Sequence, residues 1–335
     1  MSFCHASRVF TSLTAGWSFA RLPTAATIGT VAIPEMISRG YERRFVYGLL
    51  AAGGTLGILI PPSIPMIVYG FVTEQSVIAL FLAGIGPGIL LVVLFIAFAM
   101  IHARWFGGYR SEPAASVDER LRSSLRALPS VVLAVFVIGV IYSGIATPTE
   151  AAAIGFAVAL VITGVVLRSL SWQGLKEAAY DSMVTTVAIL LIVAGAKVFG
   201  KAITLYRLPQ EISMFIGQNI DTPLAFILVV SVVLLIMGLV FEALSMVLIM
   251  TPVLLPAAMA LGFDPIWFGV YMVVMVECAL ITPPVGLNLY VIQSVAKSSL
   301  SDVSRGVLPF LALMLLSVAI LYIWTDLALY IPFKF

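Results

Sequence analysis

Residues 54–70 read GTLGILIPPSIPMIVYG, and residues 277–293 read ECALITPPVGLNLYVIQ. Each sets a Pro-Pro pair, Pro61-Pro62 or Pro283-Pro284, in the middle of an apolar stretch long enough to cross a bilayer. Proline removes a backbone donor and clashes with the preceding helical turn, so each stretch predicts a helix broken at mid-membrane. Paired breaks in corresponding positions of two halves point to the binding region of a secondary transporter.

The pairs are 222 positions apart (283 − 61), and other landmarks keep that offset. Pro34 in VAIPEM falls on Pro256 in VLLPAAM, Gly40 on Gly262, and Tyr41 on Phe263. Rigid and small residues held in register predict an internal duplication.

The whole composition fits a membrane. The chain of 335 residues is 61% hydrophobic and 10% charged, with a mean hydropathy of +1.13. Soluble domains carry about 25% charged residues. A net charge of +2 makes no case for nucleic acid. Cys4 and Cys278 lack metal-type spacing, and His5 and His102 stand outside any catalytic constellation. The chain therefore does not read as an enzyme.

Charge sets the orientation. Arg39, Arg43 and Arg44 in loop 35–44, and Arg104, Arg110, Arg120, Arg122 and Arg126 in loop 102–126, place both loops in the cytoplasm. Spans over 45–72 and 77–101 lie between them. A hairpin of 128–146 and 150–167 follows, then a span over 183–205, in whose last third Lys197 and Lys201 either snorkel to the interface or act in function. Residues 223–258 read as a re-entrant hairpin holding Glu242, Ser245, Pro252 and Pro256. Loop 259–265 has no Lys or Arg and is placed outside, opposite its counterpart 35–44. The broken span 266–293 and a last span 306–325 follow. The repeat is therefore inverted. Within GIATPTEAAAIG (144–155), Thr147 or Thr149 is the expected N-cap, with Pro148 early and Glu150 in the first turn.

A broken helix frees carbonyls and amides, tolerated in a membrane only against protein or a water-filled cavity. Freed carbonyls at C-terminal half-helix ends suit a hard cation such as Na⁺, and positive N-terminal ends suit an anion. Gly53, Gly54, Thr55, Gly57 and Ser63 flank the first break, and Thr282, Gly286 and Asn288 the second. Glycine allows close backbone approach, and hydroxyls and the amide add oxygen ligands. Glu242 sits beside a cation site, shuttles a proton, or caps the hairpin turn. Glu277 is open in the same way.

GTLGILIPPSIPMIVYG, RGYERRF, SGIATPTEAAAIG, MTPVLLPAAMALGFDPIWFGV and ECALITPPVGLNLYVI together closely resemble the large membrane subunit of tripartite ATP-independent periplasmic (TRAP) transporters, over roughly residues 24–330. The resemblance implies an all-α polytopic protein of the bacterial inner membrane, an inverted repeat with re-entrant hairpins and two broken helices, similar to elevator-type ion transporters. It implies Na⁺-coupled import of small organic anions such as C4-dicarboxylates, other carboxylates or sialic acid, with Na⁺ as coupling ion and no other cofactor. It implies two partners, a small four-helix membrane subunit and a periplasmic substrate-binding protein. Carried onto this sequence, the cation sites fall at Gly54, Thr55 and Gly57 with Pro61, Pro62 and Ser63. In the second half they fall at Thr282, Pro283, Pro284, Gly286 and Asn288 with the Glu242–Ser245 turn.

One departure qualifies the resemblance. By the 222 offset Glu242 maps to Ala20, so a first hairpin tip is expected near residues 16–23. The family carries a Ser/Gly-rich tip there, and this chain reads GWSFARLP. Residues 1–23 are therefore expected to lie outside the family pattern, through a frame change or a mis-assigned start; a signal peptide is the competing account. The expected division is 1–23 non-family; 24–101 partial first-repeat elements and the following helix; 102–126 linker; 127–222 scaffold helices; 223–293 second hairpin and broken helix; 294–335 C-terminal scaffold helix. Two other readings stay open: a truncated, inactive or structural membrane protein, and a Na⁺–carboxylate symporter that needs no binding protein.

Overall fold

A computed structural model describes residues 24–105, 116–207, 210–212, 214 and 222–334. Residues 1–23, with the expected first hairpin tip, Cys4 and His5, lie outside the described residues, as does Arg110. Every regular element among the described residues is helical. Five helices are long and apolar enough to cross a membrane, and one bent pair makes a sixth.

The described chain falls into two units, 116–189 and the combination of 24–105 with 190–334. The second holds both Pro-Pro stretches. In its first half, α1 (Thr24–Ser38) leads to α2 (Arg43–Leu59), α3 (Ile64–Thr73) and α4 (Val77–Trp105). The first unit contains α5 (Val117–Tyr142) and α6 (Pro148–Val161), which ends in one π turn at Ile162–Val166. Helix α7 (Trp172–Leu205) begins in the first unit and ends in the second. The second half of the larger unit runs α8 (Pro223–Met237), α9 (Ala243–Ala260), α10 (Pro265–Leu280), α11 (Leu287–Ala296), α12 (Leu300–Ile323) and α13 (Asp326–Lys334).

The duplication is visible in backbone geometry. Gly40 and Gly262 both end their helices at a φ of 87°. In each case the next residue's N–H returns to a carbonyl five residues back, Tyr41 to Met36 at 3.1 Å and Phe263 to Ala258 at 3.0 Å. This is the glycine-centred helix stop that needs a left-handed residue. Both Pro-Pro bonds are cis. At the next capping position the halves differ. Asp264 accepts from the Ile266 and Trp267 amides, whereas its counterpart Glu42 lies 3.4 Å from the His102 imidazole.

The two halves interlock. Helix α1 packs on α2 and also on α11, beyond the second break. Its counterpart α9 packs on α10 and also on α3, beyond the first break. Each outgoing half-helix thus seats on the helix that precedes the break-bearing helix of the other half. Helix α10 lies at the centre, and every residue from Ile266 to Leu280 is buried. Its aromatic tips find partners: Tyr271 donates to the Ile227 carbonyl at 3.1 Å, and Trp267 Nε1 to the Leu321 carbonyl at 3.1 Å. Tyr69 of α3 donates to the Pro265 carbonyl at 2.7 Å.

In a bilayer, lipid tails are as apolar as the side chains, so close backbone approach at small residues carries much of the packing. Helices α2 and α12 cross at Gly48 and Gly306, where a Cβ on Gly48 would overlap the Gly306 carbonyl and one on Gly306 the Arg44 carbonyl. The Arg44 guanidinium closes this contact on Asp302 at 2.9 Å.

Observed helices extend past the expected spans at their polar ends. Helix α7 starts at Trp172 rather than 183, and α12 at Leu300 rather than 306, behind a Ser299 cap with Asp302 in its first turn. Apolar length marks the part of a helix that sits in lipid, and the capped polar turns continue beyond it. The α6 start is as expected: Thr147 caps it, Glu150 completes a reciprocal capping box, and Pro148 follows the cap.

Candidate functional site

The second break shows how the site is built. Helix α10 ends at Leu280 and α11 begins at Leu287, so Ile281–Gly286 form the irregular stretch between them. Gly286 is required there, because a Cβ would lie 2.6 Å from the Leu280 carbonyl oxygen. The Gly286 N–H donates to the Thr282 carbonyl at 3.0 Å, which closes the stretch into a turn. The α8–α9 turn reaches this place: Gly238 approaches Ala279 so closely that a Cβ would overlap its side chain. The turn that carries Glu242 and Ser245 thus begins beside Ala279, in the last turn of α10.

Glu242 is the N-cap of α9. Its carboxylate accepts from the Ser245 amide at 3.2 Å and the Ser245 hydroxyl at 3.1 Å. Of the three roles open in the sequence, this geometry displays the cap. Glu242→Ala should cost about 1 kcal/mol of stability, read as a lower unfolding midpoint of the purified chain. An unchanged midpoint would show that the cap contributes nothing.

The first break bends by 41° between α2 and α3. Ser63 caps α3, its hydroxyl accepting from the Met66 amide at 3.3 Å. Thr55 is fully buried and donates to the Ala52 carbonyl at 2.8 Å. Thr282 likewise donates to the Cys278 carbonyl at 2.7 Å. Both threonine hydroxyls thus donate to the preceding helical turn, which leaves their oxygens as acceptors. Gly53 and Gly57 line an exposed face where a Cβ would meet nothing within 4 Å among the described residues. The 222 offset pairs Gly57 with Ala279, the residue that Gly238 covers in the second half. The two breaks therefore share a backbone plan but differ in cover. Gly54 and Asn288 are half-buried, Pro61 is buried, and Pro62 and Pro284 are exposed.

Lys197 has its ammonium 4.7 Å from the centroid of the Phe71 ring near the end of α3. Such a contact stabilises a cation in an apolar setting.

Sequence reasoning missed the Gly48–Gly306 crossing, the Arg44–Asp302 pair and the Gly238–Ala279 contact. One signal was available: Gly306 and Pro309 stand at the 222 offset from Gly84 and Pro87.

Comparison with known proteins finds one family over most of the chain. Residues 6–327 match the family described as "Tripartite ATP-independent periplasmic transporter, DctM component". The match begins inside the segment 1–23, so the similarity does not stop at Pro23. The chain is 40% identical over 292 residues to the C4-dicarboxylate TRAP transporter large permease protein DctM of Pseudomonas aeruginosa, covering 87% of this chain and 68% of that one. It is 34% identical over 333 residues to the sialic acid TRAP transporter large permease protein SiaM of Vibrio cholerae, covering 99% and 77%. It is 34% identical over 312 residues to the 2,3-diketo-L-gulonate TRAP transporter large permease protein YiaN of Escherichia coli, covering 92% and 72%.

Proposed function

Because the chain belongs to the DctM component family of TRAP transporters, we propose that it imports small organic acids across the bacterial inner membrane, driven by Na⁺. The substances named in three relatives, a C4-dicarboxylate, sialic acid and 2,3-diketo-L-gulonate, are all organic acids. The observation that carries the reading is the interlocked pair of helix breaks. Each pairs a C-terminal half-helix end, which favours a cation, with an N-terminal end, which favours an anion. The Na⁺ positions proposed are Gly54, Thr55 and Gly57 in the first half and Thr282 and Gly286 in the second. The cycle uses a small membrane subunit and a periplasmic binding protein that delivers substrate.

Proteoliposomes containing the chain and its small subunit provide the test. Uptake of a labelled organic acid should require both an inward Na⁺ gradient and the periplasmic binder. Uptake with neither present would overturn the proposal. Na⁺-driven uptake without the binder would instead identify a symporter that works alone.

A further inference from the structure

A buried acid lies where α10 meets the end of α2, and the breaks do not account for it. Glu277 is fully buried, and neither carboxyl oxygen has a hydrogen-bond partner. The Leu59 backbone N–H, in the last turn of α2, lies near it without hydrogen-bond geometry. Among the described residues, no ion pair or hydrogen bond reaches the Glu277 carboxyl from α2, α3, α4, α8, α9, α11, α12 or α13, the helices packed on α10. The neighbouring titratable group is the Cys278 thiol, also fully buried.

The repeat sharpens the point. Glu277 occupies the position of Thr55 in the other half (277 − 55 = 222). Thr55 is equally buried, but its hydroxyl has a carbonyl to bond. The same position in the other half thus holds a neutral, hydrogen-bonded side chain, whereas position 277 holds an acid with no partner. An ionised carboxylate without a partner is untenable in such surroundings, and a buried group of this kind neutralises instead. A hard cation would need several oxygen ligands, whereas the polar group near the carboxyl in α2 is the Leu59 N–H.

We propose that Glu277 is a proton-binding site where the two broken helices meet, carrying a neutral carboxylic acid in this packing and releasing its proton when the helix ends part and water enters. In the release the O–H bond breaks, the electron pair stays on the carboxylate, and water takes the proton as hydronium. The link to transport rests on the proposed function. Proton binding itself does not.

The purified chain in lipid nanodiscs tests the binding directly. Infrared spectra at neutral pH should contain a protonated-carboxyl C=O band that is absent from Glu277→Gln and shifted, not lost, in Glu277→Asp. Identical carboxyl bands in the parent and Glu277→Gln would overturn the proposal, since position 277 would then be ionised. Uptake in proteoliposomes tests the link. The pH dependence of the parent should be flattened in Glu277→Gln, and a profile that follows the parent would overturn the coupling. Uptake that ignores Na⁺ while the band behaves as expected would count against the proposed function alone.

Discussion

Gly48→Val should fail to give a stable protein. A Cβ at this position overlaps the Gly306 carbonyl, and Gly306 in turn abuts the Arg44 carbonyl. The obstacles are backbone atoms, so no side-chain rotation relieves them. The α2–α12 crossing must open, which also separates Arg44 from Asp302. Overpacking of a tight interior costs up to about 3 kcal/mol, and here the displaced element is a whole helix. Gly139→Ala is the control, because among the described residues a Cβ on Gly139 meets nothing within 4 Å. It should change stability by less than about 1 kcal/mol, in line with the propensity difference alone. Unfolding midpoints in detergent decide the matter: equal midpoints for the two variants would show that the crossing is not close-packed in solution.

The contrast between Gly48 and Pro61 shows what the sequence makes legible. Proline acts through its own covalent geometry, so a Pro-Pro pair inside an apolar stretch breaks a helix whatever surrounds it. The breaks, their 222 offset and the spans they interrupt are therefore readable from the chain. Gly40 and Gly262 share that property, because their backbone conformation follows from the local stop signal. Gly48 acts through a partner 258 positions away (306 − 48), and nothing local distinguishes it from Gly53, whose Cβ position is open. Glu277 is similar: an acid next to a break has several readings until burial and missing partners separate them. Covalent constraints are written in the sequence, whereas packing partners are written in the fold. Glu242 falls on the local side of that distinction, since its cap is made to Ser245, three positions on.

Replacing Pro283 and Pro284 together with alanine should abolish transport while leaving the protein at least as stable. Without the prolines, the backbone can donate again, and α10 and α11 can approach one continuous helix. The freed carbonyls and amides of Ile281–Gly286 would then bond within the helix instead of facing ligands. Gly286 limits the merger only by its low helix propensity, about 1 kcal/mol against alanine. Uptake should fall at least about tenfold, equivalent to about 1.4 kcal/mol or more of lost interaction with the transported species. Pro309→Ala is the comparison, since Pro309 lies inside a continuous helix and its loss should leave uptake within about twofold, under about 0.5 kcal/mol. If the double variant transports as well as the parent with an unchanged unfolding midpoint, the break has no part in binding. Lost uptake with a raised midpoint would instead locate the cost of function in the break, where stability given up keeps backbone groups free for ligands.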